Sequence, residues 1–402
     1  MINVSSSRAK TKLSFEDTSI AFKNKSDLQL KKSLYLFALM NKNWIVKIGT
    51  FWLKLLLWLH FPINKLIKLT IFEQFCGGET LSECNKTISN LSKNNIGTIL
   101  DYSVEGEDSE SSFDKTLSEI LLTIDKAKNN ADIPFSVFKV SGIGEVDLLE
   151  IIQKGEQLEE SELAAFEKVK ARFSKITEHA YNQKVRLFVD AEESWIQDVI
   201  DNLANEAMEK FNKGEVFIYN TYQLYRKDML DNLKNITQIA KDKGFMVGAK
   251  LVRGAYMEKE RERSHEENYS EPIHIDKEGT DTDYNLAIDF CLENREYLSI
   301  CLGTHNEYSC QHLVNGMEKL NIAHNDKLFY FAQLLGMSDN ISFNLAQAGY
   351  NVAKYVPYGP VDAVMPYLFR RAEENTSMAG QSSREYSMLQ KEYTRRQNTH
   401  TT

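Results

Sequence analysis

Two adjacent arginines near the C-terminus, Arg370 and Arg371, share a helical stretch with Tyr367 and Glu374. The four fall at i, i+3, i+4 and i+7, hence on one face of a helix. Guanidinium forks bind carboxylate or phosphate bidentately, and a tyrosine beside them adds a flat wall. The face suits a small anionic ligand. Taken alone it reads first as a solvated Arg–Glu surface; what marks it out is its place just after the last of a series of β-rich runs. Polar and ionisable groups recur at the ends of those runs. They are Asp101 and Glu105, Lys139, Asp190 to Glu193, Tyr219 to Gln223, Lys250 to Tyr256, Thr304 to Asn306, Gln333 and Tyr355. None is needed to hold a sheet together, and together they would build one polar pocket.

The elements that must position these groups alternate along the chain. β-rich runs stand at Ile96–Tyr102, Phe135–Gly142, Arg186–Ala191, Val216–Tyr222, Phe245–Val252, Leu298–Thr304, Leu328–Leu335 and Asn351–Pro357. Longer segments of helical period follow them, such as Ser194–Lys213 and Lys227–Lys243. Strands alternating with helices imply a parallel sheet, and continuous apolar strands imply burial on both faces. Eight such units predict a closed (β/α)8 TIM-type barrel, whose active site lies at the C-terminal strand ends. An extra charged helix is expected around Glu156–His179, and a solvated excursion over Glu258–Gly279. The expected organisation is a helical arm over 1–70, the barrel over 71–381 and a polar, fraying tail over 382–402.

Several functions are excluded. A net charge of −9 argues against a nucleic-acid binder. The five cysteines are odd in number and form no CxxC pair, so free thiols are expected, with Cys291 and Cys301 as buried fillers. No HExxH or Cys/His cluster suggests a metal site, and none is expected. Ser141–Gly144 falls short of a dinucleotide-binding glycine motif, because Asp147 stands where the third glycine belongs. A dinucleotide would have to bind across barrel loops.

Residues 1–43 are polar and carry Glu16, Asp17 and Asp27, which makes a poor transit peptide. Residues 44–61 hold three of the four tryptophans, but Lys47, Lys54 and His60 interrupt them too often for a membrane span. They predict a helix packed on the main domain or, alternatively, one lying at a membrane surface. The expected location is cytoplasmic, peripheral at the inner membrane if that helix docks there.

Phe188–Glu193 (FVDAEE), Lys250–Tyr256 (KLVRGAY), Gly303–Asn306 (GTHN) and Tyr367–Asn375 (YLFRRAEEN) resemble, in order and spacing, the successive signatures of the proline dehydrogenase family. The likeness starts at Phe75–Glu79 and covers about three quarters of the chain. It implies FAD across the strand ends, oxidation of L-proline to 1-pyrroline-5-carboxylate and a quinone acceptor. It further implies a substrate pocket of Lys139, Tyr355, Tyr367, Arg370, Arg371 and Glu374, with Glu105 paired to the first arginine. Asp190, Lys250 and Tyr256 would stand at the reacting centre. Flavin contacts would come from Ala191, Asn220, Lys250, Val252, Arg253, Gly254, Thr304, His305, Asn306 and Gln333.

Lys250 and Asn220 stand where many bacterial members carry arginine and glutamine, and both resemble the mitochondrial-type branch. Tyr355 implies proline over hydroxyproline, whose enzymes tend to carry a smaller residue there. Two alternatives remain: a hydroxyproline-type dehydrogenase, and a catalytically silent membrane-surface scaffold. A lysine, two arginines, two tyrosines and two carboxylates in the expected pocket weigh against silence.

Overall fold

The computed structural model describes residues 13–59, 61, 63–103, 109–377 and 381–400. Eight strands form: β1 Ile96–Tyr102, β2 Phe135–Phe138, β3 Arg186–Val189, β4 Ile218–Gln223, β5 Val247–Val252, β6 Leu298–Gly303, β7 Phe329–Leu334 and β8 Val352–Tyr358. Each runs parallel to the next, and β8 pairs with β1 from Ile96↔Val352 to Tyr102↔Tyr358, closing the barrel. β2 and β3 are shorter than the sequence suggests. After β2 the chain turns into a short 3-10 helix, Val140–Gly142, which leaves Lys139 at the rim.

Side chains of a strand alternate between its faces, and this period decides what enters the barrel. Ile99, Phe135, Phe188, Tyr219, Cys301, Ala353 and Tyr355 fill the interior. Phe135 stacks on Phe188 at 4.3 Å between ring centroids and meets Tyr330 edge-on. The opposite faces, with Leu187, Val189, Ala249, Leu251 and Val356, pack under the surrounding helices. This plug floors the barrel, so groups two residues further along the same faces point into the mouth.

A second core covers one side of that mouth. The N-terminal helix Asp27–Met40, the post-barrel helix Val361–Ser377 and the C-terminal helix Gln381–His400 bring together Leu30, Phe37, Val364, Leu368, Met388 and Leu389, with Phe75 from the short helix Glu73–Phe75 among them. The fraying expected of the tail is therefore a misreading. Its apolar residues are few, but Met388 and Leu389 are adjacent in the helix, and both are buried. Arg384 bonds Glu307 and Glu16, while Arg396 bonds Asp27 and the Phe22 carbonyl. Polar composition concealed a docked helix.

The helix Asn43–Trp58 packs one side against the protein and leaves the other exposed. Val46 and Leu53 pack against the second core, whereas Trp44, Ile48, Phe51 and Trp52 are each more than half exposed. No helix among the described residues is long and apolar enough to cross a membrane. The excursion after β5 is less solvated than expected. Its helix Met257–Glu266 buries Glu260 completely, and that carboxylate accepts bonds from the Ser194 backbone N–H (2.7 Å) and hydroxyl (2.6 Å).

Met388→Asp tests the docked tail. A charge at this buried position should cost about 3 kcal/mol and lower the melting temperature measurably. An unchanged melting curve would restore the fraying tail.

Candidate active site

The strand ends enclose a cavity of about 610 Å³. Its centre is a buried charge. Lys250, at an inward position of β5, donates to Asp190 just past β3 and to the Tyr355 hydroxyl on β8 at 2.6 Å. That hydroxyl also donates to Asp190, at 3.1 Å. The ammonium lies 4.5 Å from the centroid of the Tyr355 ring and 5.3 Å from that of Phe188, so cation–π attraction supplements the ion pair. Asp190 thus does not cap the following helix, whose N-cap is Glu193. Burial pushes the Tyr355 phenol well above its usual range, reinforced by the Asp190 and Asp101 charges, and keeps it protonated.

The lower wall is set by β5 and β6. Arg253 is fixed by Asp281 (2.8 Å), Thr304 (2.6 Å) and Ser309 (3.0 Å), and lies over the Tyr284 ring at 4.2 Å. Gly254 adopts a φ of +139°, and a Cβ there would sit 2.3 Å from the Tyr225 ring. Only glycine lets this turn approach the tyrosine and leave the Arg253–Ala255 backbone lining the cavity. Asn306 caps the helix Glu307–Lys319 through the Ser309 N–H. The Gln333 amide is oriented by the Thr304 carbonyl and the Ser342 hydroxyl. From the post-barrel helix, Tyr367, Arg370 and Arg371 face the same cavity, with Arg371 over the Tyr367 ring at 5.3 Å.

Of the residues named from sequence, Lys139, Asp190, Ala191, Lys250, Val252, Arg253, Gly254, Tyr256, Thr304, His305, Asn306, Gln333, Tyr355, Tyr367, Arg370 and Arg371 all line this cavity. Glu105 and the Glu374 side chain lie outside the described residues. Asn220 is the correction. With Tyr219 pointing inward, the two-residue period turns Asn220 outward, where it donates to Asp201 of the helix Ser194–Phe211 at 2.8 Å. Thr221 and Gln223 line the cavity in its place. Both stand in the strand-end stretch Tyr219 to Gln223, and strand parity counted from an inward aromatic would have selected them over Asn220. Asp101, named among the strand-end groups, does line the cavity two residues beyond inward Ile99, its carboxyl raised by burial and by the Asp190 charge. Ser338, Arg384 and Glu385 also line it, but no sequence signal pointed to them.

The chain matches the proline dehydrogenase family over residues 84–384. It belongs to the proline dehydrogenase family. A protein named for carbapenem antibiotic biosynthesis, CarD of Pectobacterium carotovorum, is 36% identical over 83% of this chain and 86% of its own length. Human mitochondrial proline dehydrogenase 1 is 43% identical over 56% of this chain, a match spanning 38% of the human protein. Hydroxyproline dehydrogenase of Xenopus laevis is 31% identical over 97% of this chain and 91% of its own. Among solved structures, proline utilization A of Bdellovibrio bacteriovorus superposes with a TM-score of 0.71. That match has 20% identity and covers 93% of this chain and 40% of the other, and it carries the barrel fold.

Within this proline dehydrogenase barrel, His305 is a neutral donor–acceptor and not a charge. Burial pulls its pKa down to about 3, aided by the Lys354, Arg371 and Arg253 charges, and its Nδ1 lies 2.9 Å from the Ser338 hydroxyl. The unfolded imidazole takes up a proton below its ordinary value near 6.5, whereas the folded one does not until about 3. Its contribution to stability is therefore complete above pH 6.5 and shrinks as pH falls, by about 1.4 kcal/mol per unit. His305→Asn should abolish that dependence. Comparing pH 7.5 with pH 5, the parent should lose about 2 kcal/mol more than the variant in denaturant titrations. Equal losses would show that His305 titrates normally.

Proposed function

We propose that this chain oxidises L-proline to 1-pyrroline-5-carboxylate, with FAD as hydride acceptor and a quinone as the final electron acceptor. The observation that carries the reading is a single cavity walled by a two-arginine clamp and by the buried Lys250–Asp190–Tyr355 cluster. Proline offers a carboxylate to Arg370 and Arg371 and an apolar ring to Tyr367 and Tyr355.

The donor set fits the cofactor. A volume of about 610 Å³ suits a large ligand. Arg253, Lys277 and the N-terminus of the helix Glu307–Lys319 supply positive potential for a diphosphate. Lys250 gives one N–H to Asp190 and one to Tyr355, which leaves a third for a ring carbonyl. When bound, the flavin supplies the hydride acceptor.

The chain supplies the rest. The arginines anchor the carboxylate, the two tyrosines hold the ring, and Asp190 keeps Lys250 in place as a fixed cation. Orientation of this kind is worth several kcal/mol of barrier. A ring hydroxyl would meet the Tyr355 phenol, which is already engaged by Lys250 and Asp190. That favours proline over hydroxyproline, although one relative bears the name hydroxyproline dehydrogenase.

An anaerobic absorbance titration of the FAD-loaded protein tests the reaction. L-proline should bleach the two flavin bands of the parent. Arg370→Ala should keep its flavin yet need at least ~100-fold more proline, because a lost charge-assisted bond costs about 3 kcal/mol. Bands that stay oxidised in the parent would overturn the substrate, and equal titrations would overturn the clamp.

The reading extends to a membrane surface, the source of an apolar quinone. The outer face of the helix Asn43–Trp58 carries Trp44, Ile48, Phe51 and Trp52, and Phe61, Leu66 and Leu69 continue it, all more than half exposed. The parent should float with anionic vesicles on a density gradient, and the double variant Phe51→Glu, Trp52→Glu should remain below. Equal flotation of the two would remove the membrane from the proposal.

A further inference from the structure

The C-terminal helix Gln381–His400 turns one face inward. Glu385, Met388, Leu389 and Glu392, spaced i, i+3, i+4 and i+7, are all buried. Met388 and Leu389 belong to the second core, and Glu392 is taken up by Arg395 and Arg396 of the same helix. The start of the helix does something else. Arg384 and Glu385 reach the active-site cavity and line it.

Both are tied to its wall. Glu385 accepts the N–H of Ser338, whose hydroxyl lies 2.9 Å from His305 Nδ1. Arg384 holds the Glu307 carboxylate through Nε at 3.0 Å and Nη2 at 3.2 Å, and Asn340 donates to the same carboxylate at 2.7 Å. On its outer side Arg384 bonds Glu16, which Lys391 also meets at 3.5 Å. These bonds use Nε and Nη2, which leaves the two N–H groups of Nη1 for a further acceptor.

The charges around Glu307 explain why an arginine is needed there. Glu307 opens the helix Glu307–Lys319, and Ser309 in the same turn accepts from Arg253 at 3.0 Å. Arg253 and Lys277 both bond Asp281. Arg253, Lys277, Glu307 and Arg384 all line the cavity. Asp281 and Glu307 offset Arg253 and Lys277, so among these described groups Arg384 supplies the excess positive charge. Without it the Glu307 carboxylate would face an anionic ligand uncompensated.

We propose that the C-terminal helix completes the cofactor site: Arg384 makes this end of the cavity cationic enough to take the FAD diphosphate, and FAD binding and docking of the helix reinforce each other. The inference rests on the flavin-dependent reading above and extends the cofactor's wall to a segment that follows the barrel. Reciprocity is a matter of linkage. A ligand that interacts with the docked helix and not with the undocked one stabilises docking by the same factor by which docking tightens its binding.

The test uses the full-length protein, stripped of flavin and then reloaded with FAD. In hydrogen–deuterium exchange, FAD should slow the peptides covering 381–400 as well as those covering 250–256 and 303–309. Slowing at the strand ends alone would overturn the coupling. FAD affinity, read from the change in flavin fluorescence on binding, should fall about tenfold in Arg384→Ala, the loss of one charge-assisted bond. Arg384→Lys keeps the charge and should recover most of that loss. Glu16→Gln removes the outer partner alone and should bind FAD like the parent, since an exposed pair contributes little. Equal affinity in Arg384→Ala and the parent would overturn the proposal. A loss in Glu16→Gln as large as in Arg384→Ala would make Arg384 only a strut of the tail and overturn it as well. Failure of the parent to bind FAD at all would instead defeat the reading on which the inference rests.

Discussion

An ammonium group inside a barrel is the constraint from which the rest follows. Lys250 is 6% exposed, and an isolated charge so placed would cost many kcal/mol. It is tolerable because Asp190 arrives from β3 and Tyr355 from β8, two strands away on one side and three on the other. No open sheet could bring those groups around one nitrogen. Closure by β8 against β1 is thus both the topology of the barrel and the means of neutralising its central cation.

Beneath that cluster the aromatic plug sets its height. Phe135, Phe188 and Tyr219 occupy the floor, and Phe188 offers its face to the same ammonium. Polar groups on the inward faces begin where the plug ends, at Asp101, Lys139, Asp190, Thr221 and Lys250. Above it, the post-barrel helix adds its arginines and Tyr367. That helix is held in turn by the second core, so the helices Asp27–Met40 and Gln381–His400 support the cavity face of Tyr367, Arg370 and Arg371.

The loop after β7 repeats the theme with another buried lysine. Lys354 turns outward and donates to the carbonyl of Leu334, the last residue of β7, and to that of Met337 in the irregular loop that follows. Ser338, at a left-handed φ of 49°, donates its N–H to Glu385 of the C-terminal helix and faces His305 with its hydroxyl. Burial and the Asp339 charge push the Glu385 carboxyl up to about 7. The C-terminal helix therefore helps to build the cavity wall, a role its polar composition does not suggest.

Much of this was legible in the sequence, and the reasons are local. Apolar runs buried on both faces identify parallel strands, and eight of them with intervening helices identify the barrel. An i, i+3, i+4 spacing identifies the Tyr367, Arg370 and Arg371 face. The two-residue period also fixes Asn220 as outward and Thr221 as inward once one inward residue is known, but sequence alone did not supply that origin. Contacts between distant segments were not legible. Gln381–His400 docks because Met388 and Leu389 find Leu30 and Phe37 more than 350 positions earlier, and only the folded chain brings them together. The fixing of the loop after β7 likewise depends on Lys354, Gly336 and Gln74 meeting from three separate segments. The sequence by itself determined the barrel, the shared face of Tyr367, Arg370 and Arg371, and the family, because each is written in short-range spacing. Tertiary structure decided strand parity at Asn220, the docking of the tail and the fixing of the loop after β7, because those depend on which surfaces meet.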